Sequence, residues 1–296
     1  MSVTAKNIAG LLRALRGKPH PKNYTAAVIA AGGSSTRMGE GVSKQLLMLE
    51  GMPILAHTLK AYQECEEIDE IIVVGKEDEV DAYRALCEQY GITKLKDIVK
   101  GGKTRQESVR FGSDVVSEKT KYIAIADAAR CLITPQEITR VCRAAYLHGA
   151  ATAATRVHDS IKVGDKNGFI ESSPDRKFGW LAQTPQVFTL PAYRTAAYVA
   201  RDEGYEATDD NQLAEHIGVP VKLVECGNEN LKITEPADLL YASCVLRARA
   251  EEKARLEEEA AKAAAEAAAQ AEKNGGKKQK IRIVITAAKE SEGEDK

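Results

Sequence analysis

AAVIAAGGSSTRMGEGVSKQLLMLEG, residues 26–51, carries the chain from an apolar run into two adjacent glycines, two serines and then two cations, Arg37 and Lys44. A short run of small and β-branched residues reads as a buried strand. Glycines after it allow positive φ and close backbone approach, so successive N–H groups can converge on phosphate oxygens. Arg37 adds a forked donor and Lys44 a compact positive charge. The loop fits neither G-x-x-x-x-G-K-[ST] nor G-x-G-x-x-G, which disfavours a P-loop or a dinucleotide fold. Its plainer reading is a glycine-rich turn with two surface cations. The loop alone does not choose between the two.

Further apolar runs repeat the pattern outward from this one. They are YTAAVIAA (24–31), DEIIVVG (69–75), KDIVKGG (96–102), KYIAIAD (121–127), GAATAATRV (149–157) and PVKLVEC (220–226). Helix-type segments such as PILAHTLKAYQE and EVDAYRALCEQYG lie between them. Short buried strands alternating with helices predict an α/β fold: a mostly parallel, Rossmann-like sheet flanked by helices. Ligands of such sheets sit outside the carboxyl ends of the strands, so the residues just after each run are the place to look.

The bulk numbers bound the classes. A chain of 296 residues suits one large α/β domain with additions, and a net charge of -1 offers no general pull toward nucleic acid or acidic membranes. No apolar run approaches the roughly 20 residues a membrane helix needs, and the first residues lack the apolar core of a secretory signal. Six scattered cysteines without a C-x-x-C pair read as free thiols in a reducing cytoplasm, and the five histidines do not cluster with them as zinc ligands. Three parts are expected: an N-terminal extension (1–23) with a short amphipathic helix, a folded body (24–247), and an Ala/Glu/Lys-rich helical tail (248–296) that ends in a strand-like KIRIVIT and an acidic terminus.

Within the body, GGKTRQESV (101–109) again places glycines before polar donors and a helix start, and a polar loop with a helix cap is its plainer reading. DAAR (127–130) puts a carboxylate directly after an apolar strand, where it could hold a divalent cation bridging phosphates or simply cap a helix. DSIK (159–162), DRKFGWLAQTPQ (175–186), TDD (208–210) and NLKIT (230–234) follow, the last with its lysine in a predicted short strand before a proline-started helix. Taken singly, Lys162 and Lys232 are solvated lysines, and Trp180 is a core residue.

In this order and spacing, these segments closely resemble the 2-C-methyl-D-erythritol 4-phosphate cytidylyltransferases of isoprenoid precursor synthesis, over about residues 24–247. The resemblance implies transfer of CMP from CTP to the alcohol phosphate, with release of pyrophosphate. Positioning and charge neutralisation would do most of the work. It implies Arg37 and Lys44 as the catalytic pair on the triphosphate. Ala31, Gly32, Gly33, Gly102, Arg105 and Ser108 would bind the nucleotide. Asp127, Arg130, Asp159, Lys162, Thr184, Arg176 and Lys232 would bind the alcohol phosphate, with Asp127 also beside a metal, most simply Mg2+. It also implies a homodimer. A protruding β-arm, here the hairpin-like IKVGDKNGFIES (161–172), would carry Arg176 into the neighbouring subunit's site.

Two positions depart from the family's pattern. Cys131 stands where D-A-A-R-P has proline, and the first loop reads A-G-G rather than A-A-G. Ribitol-5-phosphate cytidylyltransferases share the first loop, D-A-x-R and TPQ, but tend to lack the arginine and tryptophan found here as Arg176 and Trp180. A non-catalytic scaffold of the same fold is the alternative from another class. Retention of Arg37, Lys44, Asp127, Arg176 and Lys232 speaks against it.

Overall fold

The computed structural model describes residues 23–33 and 43–273. The expected helix of the N-terminal extension, residues 34–42 of the first loop with Arg37, and the strand-like and acidic end of the tail lie outside the described residues.

A 7-stranded sheet runs β11-β7-β10-β6-β1-β4-β5. Its strands are β1 (Thr25–Ala30), β4 (Glu70–Gly75), β5 (Leu95–Lys100), β6 (Tyr122–Asp127), β7 (Ala150–Arg156), β10 (Trp180–Thr189) and β11 (Lys222–Glu225). β1 pairs in parallel with β4 and β6, β4 with β5, and β7 with β11. The expected parallel α/β sheet is therefore present, and its six predicted runs are six of its strands. The seventh, β10, lies antiparallel between β6 and β7. Two short pairs stand apart: β2 (Met48–Leu49) with β3 (Met52–Pro53), and β8 (Val163–Gly164) with β9 (Ile170–Ser172).

Helices α1 (Ile54–Glu64), α2 (Val80–Gln89), α3 (Arg105–Asp114), α4 (Pro135–His148), α5 (Leu190–Glu203), α6 (Asp210–His216) and α7 (Pro236–Lys273) complete the described chain. Successive residues of β1 serve opposite faces, as the period of two demands. Ala27 and Ile29 pack with Leu59, Tyr62, Tyr83 and Val141, whereas Ala26 and Val28 pack with Val109, Tyr193 and Ala197. A sheet covered on both faces explains why its strands read as unbroken apolar runs rather than alternating ones. Gly112 lets α3 lie close on the sheet, because a Cβ there would stand 2.6 Å from Val28 Cγ1 and 2.7 Å from Val74 Cγ2.

A third cluster (Leu49, Ile54, Ala129, Cys131, Leu132, Ile233 and Ala242) sits beyond the carboxyl ends of the strands. It joins the β2–β3 pair, the loop after β6, the segment before α7 and the root of α7. Helix α7 passes without a break through the body–tail boundary expected at residue 247. Its side chains over 251–263 are exposed, so that stretch is held by helix propensity rather than packing. Among the described residues no helix is long and apolar enough to cross a membrane.

Candidate active site

The strand ends hold a cross-tied charge cluster whose carboxylates are buried. Asp127, the last residue of β6, accepts from Arg105 Nε at 3.0 Å through Oδ1 and pairs with Lys232 Nζ at 3.0 Å through Oδ2. Arg130 Nε lies 3.8 Å from Oδ2. Arg105 Nη1 also donates to Asp210 Oδ2 at 2.7 Å, so one guanidinium spans two carboxylates. Burial alone would push the Asp127 carboxyl up; Arg105, then Lys232 and Arg130, outweigh it and hold it well below the usual carboxylate range. For Arg105, burial acts to lower the pKa, but Asp210 and Asp127 raise it overall. Asp210 is fully buried, and that burial raises its carboxyl.

Local structure explains each placement. Arg105 opens α3, whose N-cap Thr104 accepts from Glu107 N at 3.0 Å. Asp210 opens α6, which is capped by Asp209 and pinned by Gln186 Oε1, the acceptor for the N–H groups of Asp210 and Asn211 at 2.9 and 3.1 Å. Asp127 caps no helix, and its own N–H donates to Thr184 Oγ1 at 3.1 Å.

The nucleotide candidates lie beside this cluster. Ala31, fully buried, donates its N–H to Val74 O at 2.7 Å, and Gly32 and Gly33 follow it exposed. Gly101 N donates to Gly75 O at 2.8 Å, which aligns the loops after β4 and β5. Gly102 N donates to Ser108 Oγ at 3.0 Å, and that hydroxyl donates to Thr104 O at 2.8 Å. The helix-cap reading of GGKTRQESV thus holds, and the loop lies beside the charge cluster through Arg105.

Lys44 stands in a 3-10 turn, Lys44–Leu46, and is buried. Its ammonium donates to Ile233 O at 2.7 Å, one residue from Lys232. Lys232 itself is not in a strand. Ile233 N donates to Ala129 O at 2.8 Å while its carbonyl serves Lys44, so the segment's backbone groups go to separate partners rather than to a ladder. The helix expected after it does begin at Pro236.

Asp159, Lys162 and Arg176 belong to a different place. All three are exposed on the arm between β7 and β10. Lys162 Nζ donates to Ser173 Oγ at 2.8 Å, and Arg176 Nη1 donates to His158 O at 2.8 Å. Within one chain these two cations therefore bond to the arm itself. Gly168, with φ of 85°, turns the β8–β9 hairpin. Phe169 (73% exposed) and Phe178 (82%) stand out from the arm into solvent with Ile170 and Leu181.

Sequence reasoning assigned no role to three residues that the geometry singles out. Asp210 was visible only as part of TDD. Asn230, fully buried, donates through Nδ2 to Gln183 Oε1 and to Thr184 O, both at 3.0 Å, and its carbonyl accepts from Arg130 Nη1 at 2.8 Å. Arg156 stacks 3.7 Å from the centre of the Trp180 ring and donates to Lys177 O at 2.9 Å, so it braces the root of the arm.

Among the described residues no three His, Cys, Asp or Glu side chains gather as a metal site. A lone carboxylate still fits Mg2+, which keeps several waters and usually takes one or two protein carboxylates plus substrate phosphates. Both Asp127 oxygens already face cations, Arg105 and Lys232, so Asp127 suits only a cation that arrives with a triphosphate, not a resident one. The buried Nε of Arg130 has no hydrogen-bond partner among the described residues, and a phosphate oxygen would supply one.

Residues 25–248 match the family described as 2-C-methyl-D-erythritol 4-phosphate cytidylyltransferase. The relative of that name from Caldanaerobacter subterraneus subsp. tengcongensis is 43% identical over 223 residues, covering 75% of this chain and 98% of its own. The one from Pelotomaculum thermopropionicum is 40% identical, covering 76% and 94%. The crystal structure of 4-diphosphocytidyl-2C-methyl-D-erythritol synthase from Anaerococcus prevotii superposes with a TM-score of 0.69 at 26% identity, over 76% of this chain and 97% of that one. The 2-C-methyl-D-erythritol 4-phosphate cytidylyltransferase from Thermus thermophilus gives 0.61 at 28%, over 76% and 99%.

Proposed function

This chain belongs to the 2-C-methyl-D-erythritol 4-phosphate cytidylyltransferase family, and from that premise we propose how its own residues carry the reaction. The enzyme transfers CMP from CTP to 2-C-methyl-D-erythritol 4-phosphate, giving the CDP-alcohol and pyrophosphate. The observation that supports the residue assignment most is the convergence of Arg105, Arg130 and Lys232 on two carboxylates at the strand ends, with Lys44 bonded to Ile233 O one residue from Lys232. Four cations against two anions leave a positive surplus suited to a triphosphate and a second phosphate.

A phosphate oxygen of the alcohol attacks the α-phosphorus of CTP in line, and the bond to pyrophosphate breaks. Lys44, with Arg37, stabilises the charge that builds on that phosphorus, and Arg105 orients the nucleotide side through Asp127. Ala31, Gly32, Gly33, Gly102 and Ser108 hold cytidine through backbone groups and a hydroxyl. Lys232, Arg130 and Thr184 face the alcohol phosphate. Asp127 would hold Mg2+ together with the triphosphate, and the bound cation would neutralise phosphate charge.

The arm supports a homodimer. Its exposed Phe169, Ile170 and Phe178, with Leu181 at the start of β10, are large apolar side chains left to solvent within one chain, as interface residues are, and Arg176, with Asp159 and Lys162, would complete the partner's site. The free cysteines, five of them buried, suit the reducing cytoplasm.

The deciding experiment supplies the purified enzyme with CTP and Mg2+ and offers 2-C-methyl-D-erythritol 4-phosphate, ribitol 5-phosphate or neither. Pyrophosphate release with the first alone is the expected result. Release with ribitol phosphate alone would reassign the substrate, and silence with both would favour a scaffold.

A further inference from the structure

We propose that Arg249 is a positioning residue for the alcohol-phosphate end of the site, and that the tail therefore starts to matter one residue beyond the family match, which ends at 248. Its guanidinium bridges two separate segments. Nη1 donates to Leu132 O at 2.8 Å, while Nε and Nη2 donate to Glu229 Oε2 at 3.2 and 2.6 Å. Each segment carries a residue assigned above to the alcohol phosphate: Leu132 lies two residues after Arg130, and Glu229 three before Lys232.

Neither segment is held by a sheet ladder at these points. The 229–233 stretch is tied on its inner side by Asn230 to Thr184 and Gln183, by Arg130 to the Asn230 carbonyl and by Lys232 to Asp127. Arg249 supplies the matching tie on its outer side. The loop after β6 has Cys131 between Arg130 and Leu132, so no proline ring fixes its backbone there. A planar fork can satisfy a carbonyl and a carboxylate at once, which an ammonium on a single flexible stem does less well. The root of α7 provides the rigid mount. Glu50, in the β2–β3 turn, accepts from Ser243 and from Arg247 Nε (2.9 Å), which seats the helix against the element that follows Lys44.

The proposal rests on the reading of Lys232 and Arg130 as contacts to the alcohol phosphate. Arg249 is about a third exposed, at 35%, and Glu229 half, at 51%, so the effect belongs to the modest range of partly exposed charge pairs.

The test measures steady-state kinetics of the full-length chain as Arg249→Ala, Arg249→Lys, Glu229→Gln and the Arg249→Ala/Glu229→Gln pair, with Lys232→Ala beside them. Arg249→Ala is expected to raise KM for 2-C-methyl-D-erythritol 4-phosphate roughly 3- to 5-fold, with KM for CTP and kcat within about twofold. The lysine variant should recover part of the loss. The pair should be no worse than Arg249→Ala alone, because both changes remove one contact. If Lys232→Ala raises that KM and Arg249→Ala does not, the positioning role is wrong while the site assignment stands. If Lys232→Ala leaves it unmoved, the site assignment itself falls. Equal rises in both KM values, or a fall in Tm that accounts for the loss, would overturn the proposal by making Arg249 a general structural residue.

Discussion

The strand-end cluster and the arm are built on opposite principles from the same chain. Around Asp127, the carboxylates are buried and are answered by cations from different elements: Arg105 from α3, which also reaches Asp210 from α6, and the more exposed Lys232 from the segment before α7. On the arm, Arg176 and Lys162 are exposed, they bond to the arm itself, and large apolar side chains face outward. The first region is self-sufficient and preorganised. The second has the makings of a contact it does not complete within one chain. On the proposed reading, a fold that separates the two can keep the charge cluster rigid while leaving the arm's share of the substrate site to assembly.

The largest effect should come from the rigid region. Lys44→Ala is expected to lower kcat by about 10²–10³, the scale of one lost transition-state charge contact; a kcat near normal would take Lys44 out of the chemistry. Next, Arg105→Ala and Arg176→Ala should part company in stability. Removing Arg105 leaves Asp127 and Asp210 buried without their shared partner, and thermal or urea unfolding should show a loss of about 3 kcal/mol. Arg176→Ala should leave unfolding unchanged and raise KM for the alcohol phosphate about 10-fold, with little change for CTP, the scale of one lost charged contact to a phosphate. Equal stability losses would erase the distinction between the two regions.

A smaller signal tests assembly directly. Mixed after subunit exchange and assayed with the alcohol phosphate well below its wild-type KM, where each variant alone is nearly inactive, Lys44→Ala and Arg176→Ala enzymes should recover about a quarter of wild-type activity. Half the dimers are then mixed, and each has one intact site if the arm serves its neighbour. No recovery after verified exchange would mean that each site is complete within its own chain.

The smallest effect is in pH. Burial lowers the His57 pKa, with Leu49 O 2.8 Å from its Nε2. The unfolded chain then binds more protons than the folded one below the ordinary value near 6.5, so stability is complete above that pH and declines as pH falls. Asp127, with its lowered pKa, contributes constant stability above about pH 4 and so does not disturb that window. Tm measured from pH 8 to 5.5 should fall toward acid, and His57→Gln should flatten the slope.

The sheet was legible because its strands are buried on both faces and so read as plain apolar runs. β10 was not, because Gln183, Thr184 and Gln186 are polar and yet fully engaged inside, a satisfaction that only tertiary partners such as Asn230 and Asp210 N reveal. The position of Asp127 and of the glycines at the strand ends was readable from the apolar runs before them. Lys232 was located but given a strand it does not have. Its neighbours' bonds come from 100 residues and more away in the chain, as with Lys44 to Ile233 O at a separation of 189. Arg156 carried no motif at all, since its role depends on which ring lies under it.

That ring has a practical consequence. Trp180 is the only indole in the chain, and a guanidinium lies over it where the arm leaves the sheet. The protein thus contains a built-in optical reporter at one known position, and changes in its emission on titration with either substrate can be assigned to that junction without attaching a dye.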